Sequence, residues 1–307
     1  MFGTALSISP VDIPFLILGL YFIITSWIDI RTHEVPDWLS YSLTALGIAF
    51  AATRTILLWN NDLAFLAQEW TIVWSVLGAA VGLGLGAILY YTGQWGGGDA
   101  KLLMGTGAIL GLNVQRIITA IGSGSVWDLP AFLFFLVLVL VCGAVYGVIW
   151  MLALIALKPK QFWPPFRAAV KRLRWQRYTL LGVVIALLAA GAFVWVRNGP
   201  LLAAPVLGLA ALIVFAAALS LAVQTVETTL MRKRVTPKHL VEGDWVVGGL
   251  KVGKKWLIGK GTVSVSAEQI MQAQRGAPKA IVTVKLGIPF VPSFFFAYVA
   301  LFFLAFM

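Results

Sequence analysis

The chain has 307 residues, of which 60% are hydrophobic and 11% charged, and its formal net charge is +11 at pH 7. Soluble domains carry about a quarter charged residues, so this composition excludes an ordinary soluble protein and indicates a polytopic membrane protein. The single cysteine, Cys142, excludes an internal disulfide and a cysteine-based zinc cluster within one chain. The start of the chain, up to Val11, has no basic segment, so we expect no cleaved signal peptide there.

Apolar stretches of about 20 residues predict transmembrane helices along the whole chain. The second stretch is interrupted by Arg54, and the fourth is weakened by Asn113, Gln115 and Arg116. The stretches are residues 11–28, 38–59, 69–91, 99–121, 129–157, 178–196, 201–223 and 288–307. We therefore predict an all-α polytopic membrane protein with about eight transmembrane helices and a small α+β cytoplasmic insert near the C-terminus.

Four regions follow from this pattern: a transmembrane core, a basic loop with two more helices, a soluble insert and a last helix. Their boundaries are residues 1–157, 158–231, 232–287 and 288–307. Valine-rich alternation over residues 280–285 predicts a strand in the insert. The run of residues 251–256 has three lysines and a tryptophan, which fits either a solvated hairpin or contact with anionic lipid.

The basic residues predict how the chain is oriented in the membrane. Residues 158–177 hold seven Lys and Arg and no acid, and residues 232–285 hold eleven more. Basic loops stay preferentially in the cytoplasm, which explains the positive charge without nucleic-acid binding. Counting spans back from these loops places Asp29 and Asp99 on the same, cytoplasmic, face.

The first polar constellation follows the first apolar stretch. Asp29 ends that stretch, and Glu34, Pro36 and Asp37 follow within eight residues. A carboxylate beside hydrocarbon is costly and is a functional candidate by default. An ordinary loop, with Asp37 capping the next helix, explains the same residues.

The second constellation is the run Gly96-Gly97-Gly98-Asp99, with Lys101 two residues further on. Glycines allow the backbone to leave helical geometry and let another segment approach closely. Asp99 falls at a predicted helix N-terminus, where the helix dipole favours an anion. A flexible loop with a capping aspartate is the simpler explanation of this motif alone. Two aspartates brought together, however, can share one proton and activate a water, as in an aspartyl protease.

The two motifs together resemble those of the type IV prepilin peptidases, which belong to the GxGD class of aspartyl proteases. The resemblance covers about residues 10–155. The bacterial members commonly carry a cytoplasmic domain with paired cysteines and an N-methyltransferase activity. This chain has neither feature, so it is more similar to the archaeal prepilin and preflagellin (prearchaellin) peptidases. The C-terminal insert and residues 287–292 resemble the extra C-terminal region of some archaeal members.

The resemblance implies that Asp29 and Asp99 are a catalytic pair that works without metal or organic cofactor. It implies cleavage of archaellin or type IV pilin-like precursors at the cytoplasmic membrane face, between a short basic leader and an apolar helix. The motif residues, and Glu34 as a contact for the leader, would then bind substrate. The partners are the precursor and the lipid bilayer, not nucleic acid. The sequence leaves the individual precursor and the oligomeric state open.

Two alternatives remain open at this point. In a proton- or cation-coupled transporter the two aspartates would bind the ion, although transport carboxylates lie near the midplane of the bilayer. In a presenilin-like intramembrane protease both aspartates lie on later, adjacent spans and the first belongs to a Tyr-Asp pair, which this sequence lacks.

Some further features have simpler explanations. Gly82, Gly84 and Gly86 indicate close helix packing. His33 is expected to be a plain loop residue. Pro289 and Phe290 fit the start of a helix better than a substrate-holding segment.

Overall fold

The computed structural model describes residues 13–59, 72–125, 128–172, 174–253, 255–260 and 264–306. They form two compact units. The first comprises the described residues up to Val148 together with those from Gly287 onward, and the second comprises Ile149–Leu286.

The first unit is helical. Its elements are α1 (Ile13–Thr32), α2 (Asp37–Trp59), α3 (Ile72–Tyr91), α4 (Gly97–Leu110), α5 (Val114–Ser123), most of α6 (Ala131–Leu157) and α11 (Val291–Phe306). The second unit contains the end of α6, then α7 (Pro159–Arg172), α8 (Arg174–Asn198), α9 (Pro200–Thr229), β1 (Arg232–Val235), β2 (Trp245–Val247), β3 (Leu250–Val252), β4 (Lys255–Ile258), α10 (Ala267–Gly276) and β5 (Val282–Lys285).

Of the described helices, five are long and apolar enough to cross a membrane: α1, α3, α6, α8 from Tyr178 onward, and α9. The bent pair of α4 and α5 brings the number to six if it counts as one span, and α11 is a shorter apolar helix. The predicted polytopic helical class is confirmed, but the predicted count of about eight spans is not.

The predicted fourth span, residues 99–121, is not one straight helix. α4 ends at Leu110, and α5 begins at Val114 at an angle of 79° to it. Gly111 between them has φ of +66°, in the left-handed region, and Asn113 caps α5 by accepting the N–H groups of Gln115 and Arg116. The break follows from these two residues, which end one helix and start the next.

α4 lies at the centre of the first unit, with most of its side chains buried. Its neighbours α2 and α3 approach closely because glycines line the contacts. A Cβ placed on Gly47 of α2 would lie 2.7 Å from the Ala108 backbone, and one on Gly82 of α3 would lie 2.6 Å from the Leu103 carbonyl oxygen. The predicted packing role holds for Gly82 and Gly86, whereas Gly84 has no neighbour within 4 Å among the described atoms.

α1 and α11 pack side by side and antiparallel. Phe15 and Gly19 of α1 lie against Tyr298, and Phe22 lies 5.9 Å from Phe294, centroid to centroid. Phe135 of α6 completes a buried aromatic cluster, at 5.6 Å from Phe22. The N-terminal end of α11 therefore lies beside the C-terminal end of α1.

The second unit contains the predicted α+β insert. β5 lies between β1 and β2 in an antiparallel sheet, and β3 and β4 form a separate hairpin. Val282 and Val284, at alternate positions of β5, are buried in a small apolar core. This is the alternation that predicted a strand here. The region predicted as a basic loop, residues 158–177, is largely helical, since α7 and the start of α8 occupy it.

Candidate active site

Asp29 lies at the end of a buried stripe on α1. Leu18, Phe22 and Ser26 precede it at helical spacing on the same face, so Asp29 points inward with only 5% of its surface exposed. His33 follows in the left-handed region, with φ of 58°, and its N–H donates to the Asp29 carbonyl at 2.8 Å. α1 therefore ends within one turn of this carboxylate.

The Asp29 side chain accepts a hydrogen bond from a residue far along the chain. The Val291 backbone N–H, at the first position of α11, donates to Oδ2 of Asp29 at 3.0 Å. An N–H donor at a helix N-terminus favours the ionised form of a carboxylate and fixes its orientation. Sequence reasoning noted residues 287–292 but assigned Val291 no place in the site, although Pro289 and Pro292 mark the helix start that presents it.

Asp99 is the third residue of α4, and 8% of its surface is exposed. The Gly96 backbone N–H donates to Oδ2 of Asp99 at 3.0 Å, which is half of a capping box. The helix start thus aims this carboxylate inward, at the position that the sequence predicted for it.

The two carboxylates are close enough for their charges to interact. Both lie in apolar surroundings, where two neighbouring negative charges are strongly unfavourable. One proton shared by the pair removes that repulsion and leaves one acid and one base side by side. An acid and a base in this arrangement can together hydrolyse a peptide bond.

The three glycines of the second motif have different surroundings. A Cβ on Gly98 would lie 2.7 Å from Cβ of Val35, and one on Gly96 would lie 3.1 Å from Oδ2 of Asp99. A Cβ on Gly97 would meet only the Tyr90 ring, at 3.6 Å, which is an ordinary contact. Gly98 therefore lets the start of α4 lie directly against the loop between α1 and α2.

An ion pair joins the same two segments near the protein surface. Lys101 Nζ lies 2.6 Å from Oδ1 of Asp37, with 32% and 59% of the two side chains exposed. Asp37 is the first residue of α2 and follows Pro36, whose carbonyl accepts the Leu39 N–H. Glu34 lies in the same loop with its side chain exposed. All the predicted site residues thus lie in two segments that pack against each other.

Aromatic side chains form one wall beside the aspartates. The Trp95 ring, which directly precedes the glycine run, lies 5.2 Å from Phe290 and 5.4 Å from Phe294, centroid to centroid. Sequence reasoning did not assign Trp95 a place in the site. Its position next to the motif was the available signal.

No group of three or more His, Cys, Asp and Glu that could hold a metal occurs among the described residues.

Comparisons with known proteins agree with the motifs. Residues 16–148 match the sequence model of the type IV leader peptidase family. A protein named preflagellin peptidase from Methanocaldococcus jannaschii is 29% identical over 112 residues, which are 36% of this chain and 44% of that protein. A second protein of that name, from Methanococcus maripaludis, is 30% identical over 111 residues, with the same coverage of both chains.

The resemblance to archaeal leader peptidases is thereby confirmed. The matched segment spans less than half the length of these curated relatives. No solved structure matches the chain significantly. Asp29, Asp99 and both motifs lie within the matched residues 16–148, whereas Val291 lies outside them.

Proposed function

Since residues 16–148 match the type IV leader peptidase family, we propose that this protein is a membrane-embedded aspartyl endopeptidase. It removes the short basic leader from preflagellin-like or pilin-like precursors. The observation that carries the proposal is the pair of buried carboxylates, Asp29 and Asp99, whose charges interact at the ends of two helices.

The reaction uses the shared proton of the pair. The ionised carboxylate takes a proton from a water, whose oxygen attacks the scissile carbonyl carbon. The protonated carboxyl donates a hydrogen bond to the carbonyl oxygen and stabilises the negative charge that develops there. The tetrahedral intermediate collapses with cleavage of the C–N bond, and the proton first taken from water passes to the leaving amine.

The location of the pair suits a substrate that is cut beside a membrane. Asp29 lies near the last turn of α1, and Asp99 lies in the first turn of α4. A precursor with an apolar helix and a basic leader would place its cleavage site at this level. The exposed Glu34 supplies negative charge near the site for that leader, whereas the charge of Asp37 is paired with Lys101.

The cytoplasmic orientation of the site belongs to the same proposal. It rests on the basic segments 158–177 and 232–285, which favour the cytoplasm.

The test is cleavage of a co-expressed preflagellin or prepilin, followed by the mobility shift of the mature protein. Asp29→Asn and Asp99→Asn keep the size of each side chain but prevent ionisation, so each should lower cleavage by about 100-fold or more. Asp128→Asn is the matched control, because Asp128 accepts a hydrogen bond from Ser123 between α5 and α6, outside the site.

If all three variants reach normal levels in the membrane and only Asp29→Asn and Asp99→Asn lose cleavage, the result supports the two aspartates as the catalytic pair. Cleavage that persists in both, or a wild-type protein that never cleaves a precursor, would contradict the proposal. Proton- or cation-linked transport that depends on both aspartates would then become the leading hypothesis.

A further inference from the structure

The first turn of α11 is joined to both halves of the candidate site, although it lies about 190 residues beyond the second aspartate along the chain. Its Val291 N–H donates to Asp29, as described above. Its neighbour Phe290 lies against Trp95, which leads into the Gly96–Asp99 run. The same short segment therefore contacts the residues that carry each aspartate.

Packing holds this segment in place from several directions. A Cβ on Gly143 of α6 would lie 2.6 Å from the Phe290 ring, so the ring sits directly on the α6 backbone. Ser293 closes the turn, because its N–H and its hydroxyl donate to the Phe290 carbonyl at 2.9 and 2.7 Å. Val291 itself is fully buried. The N–H that reaches Asp29 is therefore fixed by the backbone of α6, by Ser293 of α11 and by Trp95 of the segment before α4.

Among the described residues, few charged or titratable groups lie around Asp29. Asp99 comes from α4, His33 from the residue after α1, and Tyr146 from α6, and each interacts electrostatically with Asp29. The first turn of α11, Val291 to Phe294, contributes no ionisable side chain. Its contribution to Asp29 is the backbone donor.

We propose that the first turn of α11 is part of the catalytic apparatus: Phe290 anchors it, and Val291 positions Asp29 through its backbone N–H. The inference rests on the proposed peptidase function and extends it to a region outside the family match. Val291 and Phe290 act through Asp29 and are positioning residues.

Val291→Pro removes the N–H with little cost to the helix. Proline is tolerated at the first position of a helix, where its missing donor is not needed by the helix itself. Val291→Ala is the control for loss of the valine side chain, because it removes the two γ carbons but keeps the N–H. The measurement is precursor cleavage as a function of pH by the full-length protein in membranes.

We expect Val291→Pro to lower cleavage by about tenfold and to move one limb of the pH profile. The physical reason is that Asp29 loses a donor that stabilises its ionised form. A shift of the acidic limb would identify Asp29 as the base, and a shift of the basic limb would identify it as the acid. Val291→Ala should keep the wild-type profile.

A second pair of variants tests the anchor without changing the donor. Gly143→Ala places a methyl against the Phe290 ring, whereas Gly147→Ala, one turn further along α6, meets no described atom within 4 Å. We expect Gly143→Ala alone to reduce cleavage and to shift the profile in the same direction as Val291→Pro. If Val291→Pro does not accumulate in the membrane, the comparison of Gly143→Ala with Gly147→Ala tests the positioning role instead.

The inference is overturned if Val291→Pro matches Val291→Ala in rate and profile, or if Gly143→Ala matches Gly147→Ala. Either result, with cleavage by the wild type intact, leaves the proposed function standing. A wild type that cleaves no precursor removes the proposed function and this inference with it.

Discussion

At the scale of single residues, the site depends on which glycine faces which neighbour. Gly98 lies against Val35, and Gly96 lies against the carboxylate of Asp99, but Gly97 has an ordinary van der Waals contact. The middle glycine of the run is therefore free to vary, and the outer two are constrained by space. The glycine at position 98 is thus explained by a contact between two loops that are distant in the sequence.

Gly98→Ala should lower cleavage by about tenfold or more, and Gly97→Ala should leave it within about twofold of wild type. The added methyl on Gly98 would push Val35 away and displace Asp99, and small displacements of catalytic groups are costly. The two rates, measured on the same precursor at equal membrane levels, check this. Equal rates would show that the Gly98–Val35 contact does not set the geometry.

The Lys101–Asp37 ion pair should matter much less than the aspartate pair. Both side chains are partly exposed, and pairs of this kind contribute about 0.2–1 kcal/mol to stability. A double-mutant cycle with Lys101→Gln and Asp37→Asn, followed by thermal unfolding in detergent, should give a coupling energy in that range. A coupling well above it would indicate that the pair acts within a larger network.

At the scale of elements, α4 is short but is the most enclosed helix around the site. It packs against both α2 and α3 through glycines, and it carries Asp99 in its first turn. Close backbone contact on two sides leaves α4 little room to move. The position of Asp99 is therefore fixed by helix packing as well as by the capping bond to Gly96.

Gly82→Ala and Gly84→Ala test this packing with the same chemical change. A methyl on Gly82 would meet the Leu103 carbonyl at 2.6 Å, whereas one on Gly84 meets no described atom within 4 Å. Overpacking of this kind costs about 1–3 kcal/mol, so Gly82→Ala should lower the unfolding temperature and the cleavage rate. Gly84→Ala should do neither. Identical melting curves would contradict the α3–α4 contact.

At the scale of the whole molecule, the basic residues support the proposed orientation in the membrane. Segments 158–177 and 232–285 are strongly basic and favour the cytoplasm. The loops at residues 33–36 and 92–96 lead into segments that meet at the Gly98–Val35 contact, so we propose that both loops lie on that side. In the same proposal, the turn at Gly199, between α8 and α9, lies on the opposite side.

Cysteine labelling checks this orientation. In a Cys142→Ser background, Glu34→Cys and Gln94→Cys should react with a membrane-impermeant maleimide only in inverted vesicles. Asn198→Cys should react only in intact cells, because its side chain is exposed and the proposed orientation places this turn outside the cell. All three positions carry exposed side chains, so a failure to label would not be due to burial. The reverse pattern would place the aspartates outside the cell and contradict the proposed substrate geometry.

The sequence alone determined the class of the molecule, the two aspartate motifs and the family resemblance. These depend on local properties: the length of apolar stretches, the charge of loops, and the residues that end one helix and begin the next. It also predicted the β5 strand, because the alternation of Val282 and Val284 is local.

Tertiary structure alone decided what surrounds the pair. The Val291 N–H lies 262 residues from Asp29 along the chain, and the contacts of Gly98 with Val35 and of Phe290 with Trp95 also join distant segments. Such contacts arise from the way helices pack, which depends on the shapes of all the surfaces involved. The break between α4 and α5 was only partly predictable. Gly111 and Asn113, which cause it, are local features of the sequence, but the apolar residues on both sides of them predicted one continuous span.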